Sequence, residues 1–155
     1  ELQAIAPFFH PLDGVTDWNR IYGPAGFLQY QFAVPNEAAH LIPRTLEALR
    51  KVGAPSFLTV LKRFGPSNPA PLSFPIPGWT LAIDVPVAIR GLLEVLDQLD
   101  EDVAAVGGRL YLAKDSRQST KMFRKTYETF ETNSYLNPKI LNIGSPFNSD
   151  IILRL

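Results

Sequence analysis

The order of patterned segments predicts an α+β domain: a ferredoxin-like βαββαβ antiparallel sheet with helices on one face, then a C-terminal helix and tail. Three observations carry this. Four short segments read as strands, two longer segments repeat leucine at helical spacing, and each helical segment falls between two of the strands.

Phe27 to Val34 alternates with period two, so Leu28, Tyr30, Phe32 and Val34 share one face and Phe27, Gln29, Gln31 and Ala33 the other. Pro35 ends this strand, and Asn36 with Glu37 offers a helix start. The helix is expected to run to Val52, with Leu41, Leu46, Ala48 and Leu49 as its apolar positions and Gly53 as its stop. Pro43 either kinks it or delays its start. Phe57 to Phe64 reads as the second strand and Trp79 to Val85 as the third. In the third, Trp79, Leu81, Ile83 and Val85 alternate with Thr80, Ala82 and Asp84. Leu92, Leu93, Leu96, Leu99 and Val103 define a helix from Ile89 to Val106, and Gly107-Gly108 stops it. Arg109 to Ala113 is the fourth strand. A last helix, Lys121 to Phe130, is capped by Ser119 or Thr120. The tail from Asn137 to Leu155 is weakly patterned, with room for a short helix after Pro138. Residues 1–26 read as a connecting arm, aromatic and turn-rich from Pro7 to Gly26, with one helical turn around Asp17 to Tyr22.

Between the second and third strands lies the segment with the most distinctive composition. Pro66, Pro69, Pro71, Pro75 and Pro77, with Gly65 and Gly78, rule out a helix or a central strand there. A long, stiff loop between two strands is more often a functional element than a plain connector.

Composition narrows the function. The 155 residues carry 15 basic and 15 acidic groups, and this zero balance argues against nucleic acid as a partner. There is no cysteine and only His10 and His40, so no metal site is expected. No signal peptide or membrane-spanning run is present, which leaves a cytoplasmic or membrane-peripheral location as the expectation. The chain opens at Glu1 without a methionine, as a piece cut from a longer protein would.

With helices on one side, the other side of the sheet carries Gln29, Gln31, Thr80, Ala82, Asp84 and Tyr111, with Lys62 able to join them. Amides, a hydroxyl, a carboxylate and an aromatic ring suit a face that meets another surface with a ligand between. Gln29 and Gln31 point the same way and can hydrogen-bond the hydroxyls of a polar substrate; the alternative is an ordinary solvated strand face. Lys114, just after the fourth strand, can stabilise a developing alkoxide or hold an anion. The alternative is a surface lysine paired with Asp115, and Lys62 has the same two readings. Gly107-Gly108 ends a helix rather than beginning one, so it is not a phosphate site. No nucleophile-elbow, P-loop or dinucleotide fingerprint occurs.

Four stretches in this order carry a resemblance: Asp17-Trp-Asn-Arg-Ile-Tyr-Gly-Pro24, Phe27-Leu-Gln-Tyr-Gln-Phe32, Phe64-Gly-Pro with Ala70-Pro-Leu-Ser-Phe-Pro-Ile-Pro-Gly-Trp79, and Gly107-Gly-Arg-Leu-Tyr-Leu-Ala-Lys-Asp-Ser-Arg117. Together they resemble the C-terminal substrate-binding half of the decaprenylphosphoryl-β-D-ribose 2'-oxidase (epimerase) flavoproteins, FAD-linked oxidases of the vanillyl-alcohol-oxidase type. The resemblance runs from Phe8 to Arg117 and fades through the tail.

The resemblance implies a two-domain enzyme. An N-terminal domain holds FAD, and residues 27–155 form a cap whose sheet covers the flavin ring. A secondary sugar hydroxyl is oxidised by hydride transfer to the flavin, and the ketone passes to a separate reductase in an arabinan-precursor epimerisation. By motif position, Lys114 is the catalytic residue, and Gln29, Gln31, Lys62, Thr80, Ala82 and Tyr111 line the substrate pocket. The proline loop is expected at the pocket mouth, where it can meet a lipid tail or a membrane surface. The best-known members of the family place asparagine and cysteine where this chain has Thr80 and Ala82, which changes pocket shape and leaves a related, non-polyprenyl sugar open. Without an FAD domain the chain by itself is expected to be inactive. The competing reading is a free-standing ferredoxin-like module that binds a small molecule.

Overall fold

The computed structural model describes Ile5, Gly14 and residues 16–114 and 117–127. Within them, β1 (Phe27–Pro35), β2 (Thr59–Phe64), β3 (Gly78–Pro86) and β4 (Arg109–Leu110) form one sheet in the order β2-β3-β1-β4. All three pairings are antiparallel. Helices α1 (Leu41–Val52), α2 (Leu92–Ala105) and α3 (Thr120–Thr126) complete an α+β fold, with 3-10 turns at Trp18–Tyr22 and Asn36–Ala38.

Register decides which face each strand residue joins. β1 and β3 pair from Phe27↔Pro86 to Pro35↔Gly78, which sets Tyr30 opposite Ile83 and Phe32 opposite Leu81. These residues, with Val34 and Val85, form the core with Leu41, Ile42 and Leu49 of α1 and Leu92, Leu96, Leu99 and Val103 of α2. The leucines of both helices recur at helical spacing, so one stripe of each helix faces the sheet. Phe32, Val34, Val85, Leu92, Leu96 and Leu110 have no exposed surface, and each such burial is worth roughly 1.5–3 kcal/mol.

Most element boundaries agree with the sequence pattern, and the differences have local causes. The first helix does not start at Asn36. A 3-10 turn precedes it and α1 begins at Leu41, so Pro43 sits in the first turn, where a missing N–H costs nothing. The second strand begins at Thr59 rather than Phe57, because Ser56 Oγ bonds the Leu58 carbonyl and the Phe57 ring turns to the edge of Tyr22. The fourth strand is much shorter than Arg109 to Ala113. After Tyr111 N–H bonds the Gln31 carbonyl the chain turns, with Lys114 N–H on the Tyr111 carbonyl. The long second helix is trimmed to Leu92–Ala105, and Ser119 Oγ caps α3 by accepting from Met122 N–H at 3.1 Å. The expected end of the last helix, the tail and most of the arm before Thr16 lie outside the described residues.

Candidate functional site

The sheet face away from α1 and α2 is assembled by strand register alone. Gln29 lies opposite Asp84, Gln31 opposite Ala82, and Ala33 opposite Thr80. Val60 and Lys62 of β2 lie opposite Ala82 and Thr80, and Arg109 of β4 lies opposite Ala33. Residues opposite one another in an antiparallel pair share a face, and alternation then adds Tyr111 beside Arg109. The structure therefore brings Gln29, Gln31, Lys62, Thr80, Ala82 and Tyr111 to one surface, with Lys114 in the turn that follows.

That surface is covered at two places. At one, the Trp18–Tyr22 turn lays the Tyr22 ring on Phe27, with centroids 4.2 Å apart. At the other, the loop 65–77 sends Phe74 between Phe64 and Tyr111, at centroid distances of 5.7 and 4.6 Å. Arg109 Nη1 donates to the Ser73 carbonyl and pins the loop to the start of β4. Gln29, Gln31 and Ala82 occupy the sheet between these covers and are half-buried, while Lys62 is exposed on the edge strand.

Hydrogen bonds organise the polar groups. Gln31 Nε2 donates to Thr80 Oγ1 at 3.1 Å, which fixes that amide and buries the threonine. Thr80 thus serves Gln31 before it serves any ligand. Asp84 is 3% exposed. Burial pushes its pKa up; hydrogen bonds from Gln29 and Tyr22 and the charge of Lys114 pull it back down.

The sequence pattern puts Asp84 on this face without a role, and it does not single out Tyr22, Phe74 or Arg109. A single acid in an otherwise apolar and neutral strand, Gly78 to Pro86, is the signal that points to Asp84. Nothing local points to Tyr22, whose contact with Asp84 spans 62 positions.

No protein-family model matches the chain. Over 127 residues, 82% of its length, it is 50% identical to a decaprenylphosphoryl-beta-D-ribose oxidase of Mycolicibacterium smegmatis. The chain resembles part of that oxidase. It is also 35% identical over 130 residues to an uncharacterized protein in the mprA 5' region of Streptomyces coelicolor. It spans 27% of the first relative and 35% of the second.

Proposed function

We propose that this chain is the substrate-binding cap of an FAD-linked oxidase acting on a secondary hydroxyl of a sugar, a polyprenyl-phosphoryl ribose or a close relative of it. One observation carries the reading. A chain 50% identical to a sugar-lipid oxidase gathers Gln29, Gln31, Lys62, Thr80, Ala82 and Tyr111 on one sheet face, beside Lys114.

The residues present fit a cover over a flavin ring and not a cradle for its pyrophosphate. The chain spans only 27% and 35% of its two relatives, and the FAD would be held by another domain of the whole protein. That flavin would accept the hydride from the carbinol carbon, while the hydroxyl proton leaves separately and a ketone remains. Lys114 would hold an ammonium near the alcohol oxygen and steady the negative charge that grows there as the hydroxyl proton leaves, before hydride departure turns the alkoxide into the carbonyl. Gln29 and Gln31 bind neighbouring hydroxyls, the second held in orientation by Thr80. Tyr111, backed by Phe74, supplies a flat wall, and Lys62 at the exposed edge takes a phosphoryl group. The loop 65–77 lies at the mouth, where exposed Leu72 can meet a polyprenyl tail or a membrane surface. Among the described residues no helix is long and apolar enough to cross a membrane. The ketone would pass to a reductase.

The test is an anaerobic absorption spectrum of the natural full-length protein mixed with a polyprenyl-phosphoryl pentose. Flavin bleaching is expected, with loss of bleaching but not of flavin content in Lys114→Ala. A natural protein without flavin would sink the oxidase reading and leave a small-molecule-binding module in its place. This chain alone is expected to show no turnover.

A further inference from the structure

Thr80 belongs to the open sheet face by register but not to its surface. It is 2% exposed, set between Ala33 of β1 and Lys62 of β2, which both lie directly opposite it. At that exposure its hydroxyl offers a ligand almost nothing. What it reaches instead is Gln31, whose Nε2 donates to Thr80 Oγ1 at 3.1 Å. A buried hydroxyl needs a partner, and this amide supplies it.

The surroundings of Gln31 leave the other end of its amide open. Val87 N–H bonds the Gly26 carbonyl, so by alternation Gln31 and Ala82 form a pair without backbone bonds between them. Side chains of such a pair stand closest, yet Ala82 contributes only a methyl group. On its far side Gln31 is held by Tyr111 N–H, which donates to its backbone carbonyl. The residue is thus fixed at two points, backbone from the β4 side and side chain from β3. The bond to Thr80 holds the nitrogen end of the amide. The oxygen end, Oε1, has no donor among the described residues, and it can only accept. A half-buried carbonyl oxygen there favours a ligand group that brings its own hydrogen. A hydroxyl does so; an ether, a ketone or an ionised phosphoryl oxygen does not.

We propose that Thr80 is a positioning residue that turns the Gln31 carbonyl oxygen toward the ligand, so that this point of the site selects a substrate hydroxyl able to donate. This rests on the sugar-binding role given to Gln31 above. It adds which end of the amide does the binding and which residue sets that end. Thr80 itself touches neither substrate nor flavin.

The test uses the natural full-length protein and measures binding rather than turnover. Analogues of a polyprenyl-phosphoryl pentose carry fluorine in place of one non-reacting hydroxyl at a time, because fluorine is similar in size and donates no hydrogen bond. At one position the unaltered protein should prefer hydroxyl over fluorine by about tenfold. Thr80→Val keeps the branched shape but frees the amide to turn, so the preference there should fall to about twofold or less. Thr80→Ser returns the hydroxyl and should return the preference. A merely structural role would weaken all analogues alike and leave the ratio unchanged, so a full preference in Thr80→Val overturns the proposal. Side-chain amide NMR on the ligand-free protein reads the same bond. One Gln31 Nε2 proton, assigned by its loss in Gln31→Leu, should exchange about tenfold more slowly than in Thr80→Val. Equal exchange in the two proteins overturns the proposal. If no analogue binds the unaltered protein, the sugar reading falls, while a slow proton lost in Thr80→Val still supports Thr80 as the residue that turns the amide. The two failures are therefore separable.

Discussion

The phenol of Tyr22 donates a hydrogen bond to Oδ2 of Asp84 at 3.2 Å, across 62 positions of sequence. The bond joins the turn before β1 to the middle of the sheet face away from α1 and α2. Around it the Tyr22 ring stacks on Phe27 and meets the edge of Phe57, so the turn is held by two aromatic contacts and one polar one. Burial first, then the Asp84 charge and the bond itself, push the Tyr22 pKa up to about 12. The phenol therefore stays a donor across the working pH range, and the carboxylate keeps its partner.

Replacing Asp84 by Asn should stabilise the fold at neutral pH. Burial is the largest influence on this carboxyl and raises its folded pKa above the ordinary value of 3.8. A raised folded pKa means that the acid form is preferred on folding, so stability is fully present below the unfolded pKa and is lost as pH rises through the folded one. Asn avoids that loss and can still accept from Tyr22. Urea unfolding of the chain at pH 7 should give an Asp84→Asn midpoint equal to or above that of the unaltered chain, with the gap closing toward pH 4. A variant less stable at pH 7 than at pH 4, relative to the unaltered chain, would mean that the partners outweigh burial.

Gly78 opens β3 opposite Pro35 of β1. A Cβ built on it would stand 2.0 Å from the Val34 carbonyl oxygen and 2.9 Å from Pro35 Cα, both backbone atoms that cannot step aside. Gly78→Ala should therefore cost about 3 kcal/mol or more, since the strand end must separate to admit one methyl group. Gly65→Ala, in the same loop with nothing within 4 Å of its Cβ, should change stability by less than about 0.5 kcal/mol. Thermal melts of the two variants side by side decide the point.

How much of this was legible in the sequence follows from the range of each interaction. The alternation in Phe27–Val34 and Trp79–Val85 is a property of adjacent residues, and it set the two faces of the sheet correctly. From it follow the positions of Gln29, Gln31, Thr80, Ala82 and Asp84, and the short fourth strand adds Tyr111. Boundaries were less legible because they depend on contacts that no local pattern carries. Phe57 looks like a strand residue until Tyr22 engages its ring, and Leu112 and Ala113 look like strand until the chain turns on the Tyr111 carbonyl. The covers over the face were legible only as unusual composition. Proline content marks the loop 65–77 as stiff, but it does not say that Phe74 lies on Tyr111 or that Arg109 holds Ser73. Asp84 was visible on its face, while its partnership with Tyr22 required two distant segments to meet.

Arg117 ties the segment before α3 to α2 through a buried ion pair. Its Nη2 lies 2.7 Å from Asp100 Oδ2, with the two side chains 11% and 5% exposed, and its guanidinium rests 5.8 Å from the Tyr30 ring centroid. Its Nη1 also reaches Asp97 at 2.6 Å, but that carboxylate is 73% exposed. Arg117→Ala takes the guanidinium from a buried carboxylate and should cost about 3–5 kcal/mol, whereas Asp97→Ala should cost less than about 1 kcal/mol. The double variant Arg117→Leu with Asp100→Leu should recover much of the loss, because apolar side chains need no charge partner. Urea midpoints of the three variants test the ranking. Equal effects of Arg117→Ala and Asp97→Ala would show that the exposed pair is the one that matters.

Phe74 is the side chain that holds the proline loop on the sheet. It is 7% exposed, between Phe64 on the edge strand and Tyr111 beyond β4, so its ring bridges the two sides of the face. The loop has few other anchors among the described residues, and most positions from Gly65 to Leu72 are exposed. Truncating the ring should therefore release the loop without unfolding the domain, whose core of β1, β3, α1 and α2 does not include Phe74. Phe74→Ala is expected to speed thermolysin cleavage within residues 65–77 about tenfold, the equivalent of about 1.4 kcal/mol of local opening, while the global urea midpoint moves much less. Arg109→Ala removes the hydrogen bond to the Ser73 carbonyl and should act in the same direction. In the full-length protein the proposed place of the loop at the pocket mouth predicts that both variants weaken binding of a polyprenyl-phosphoryl pentose more than that of a free pentose. Equal weakening of both ligands would place the loop against the sugar itself.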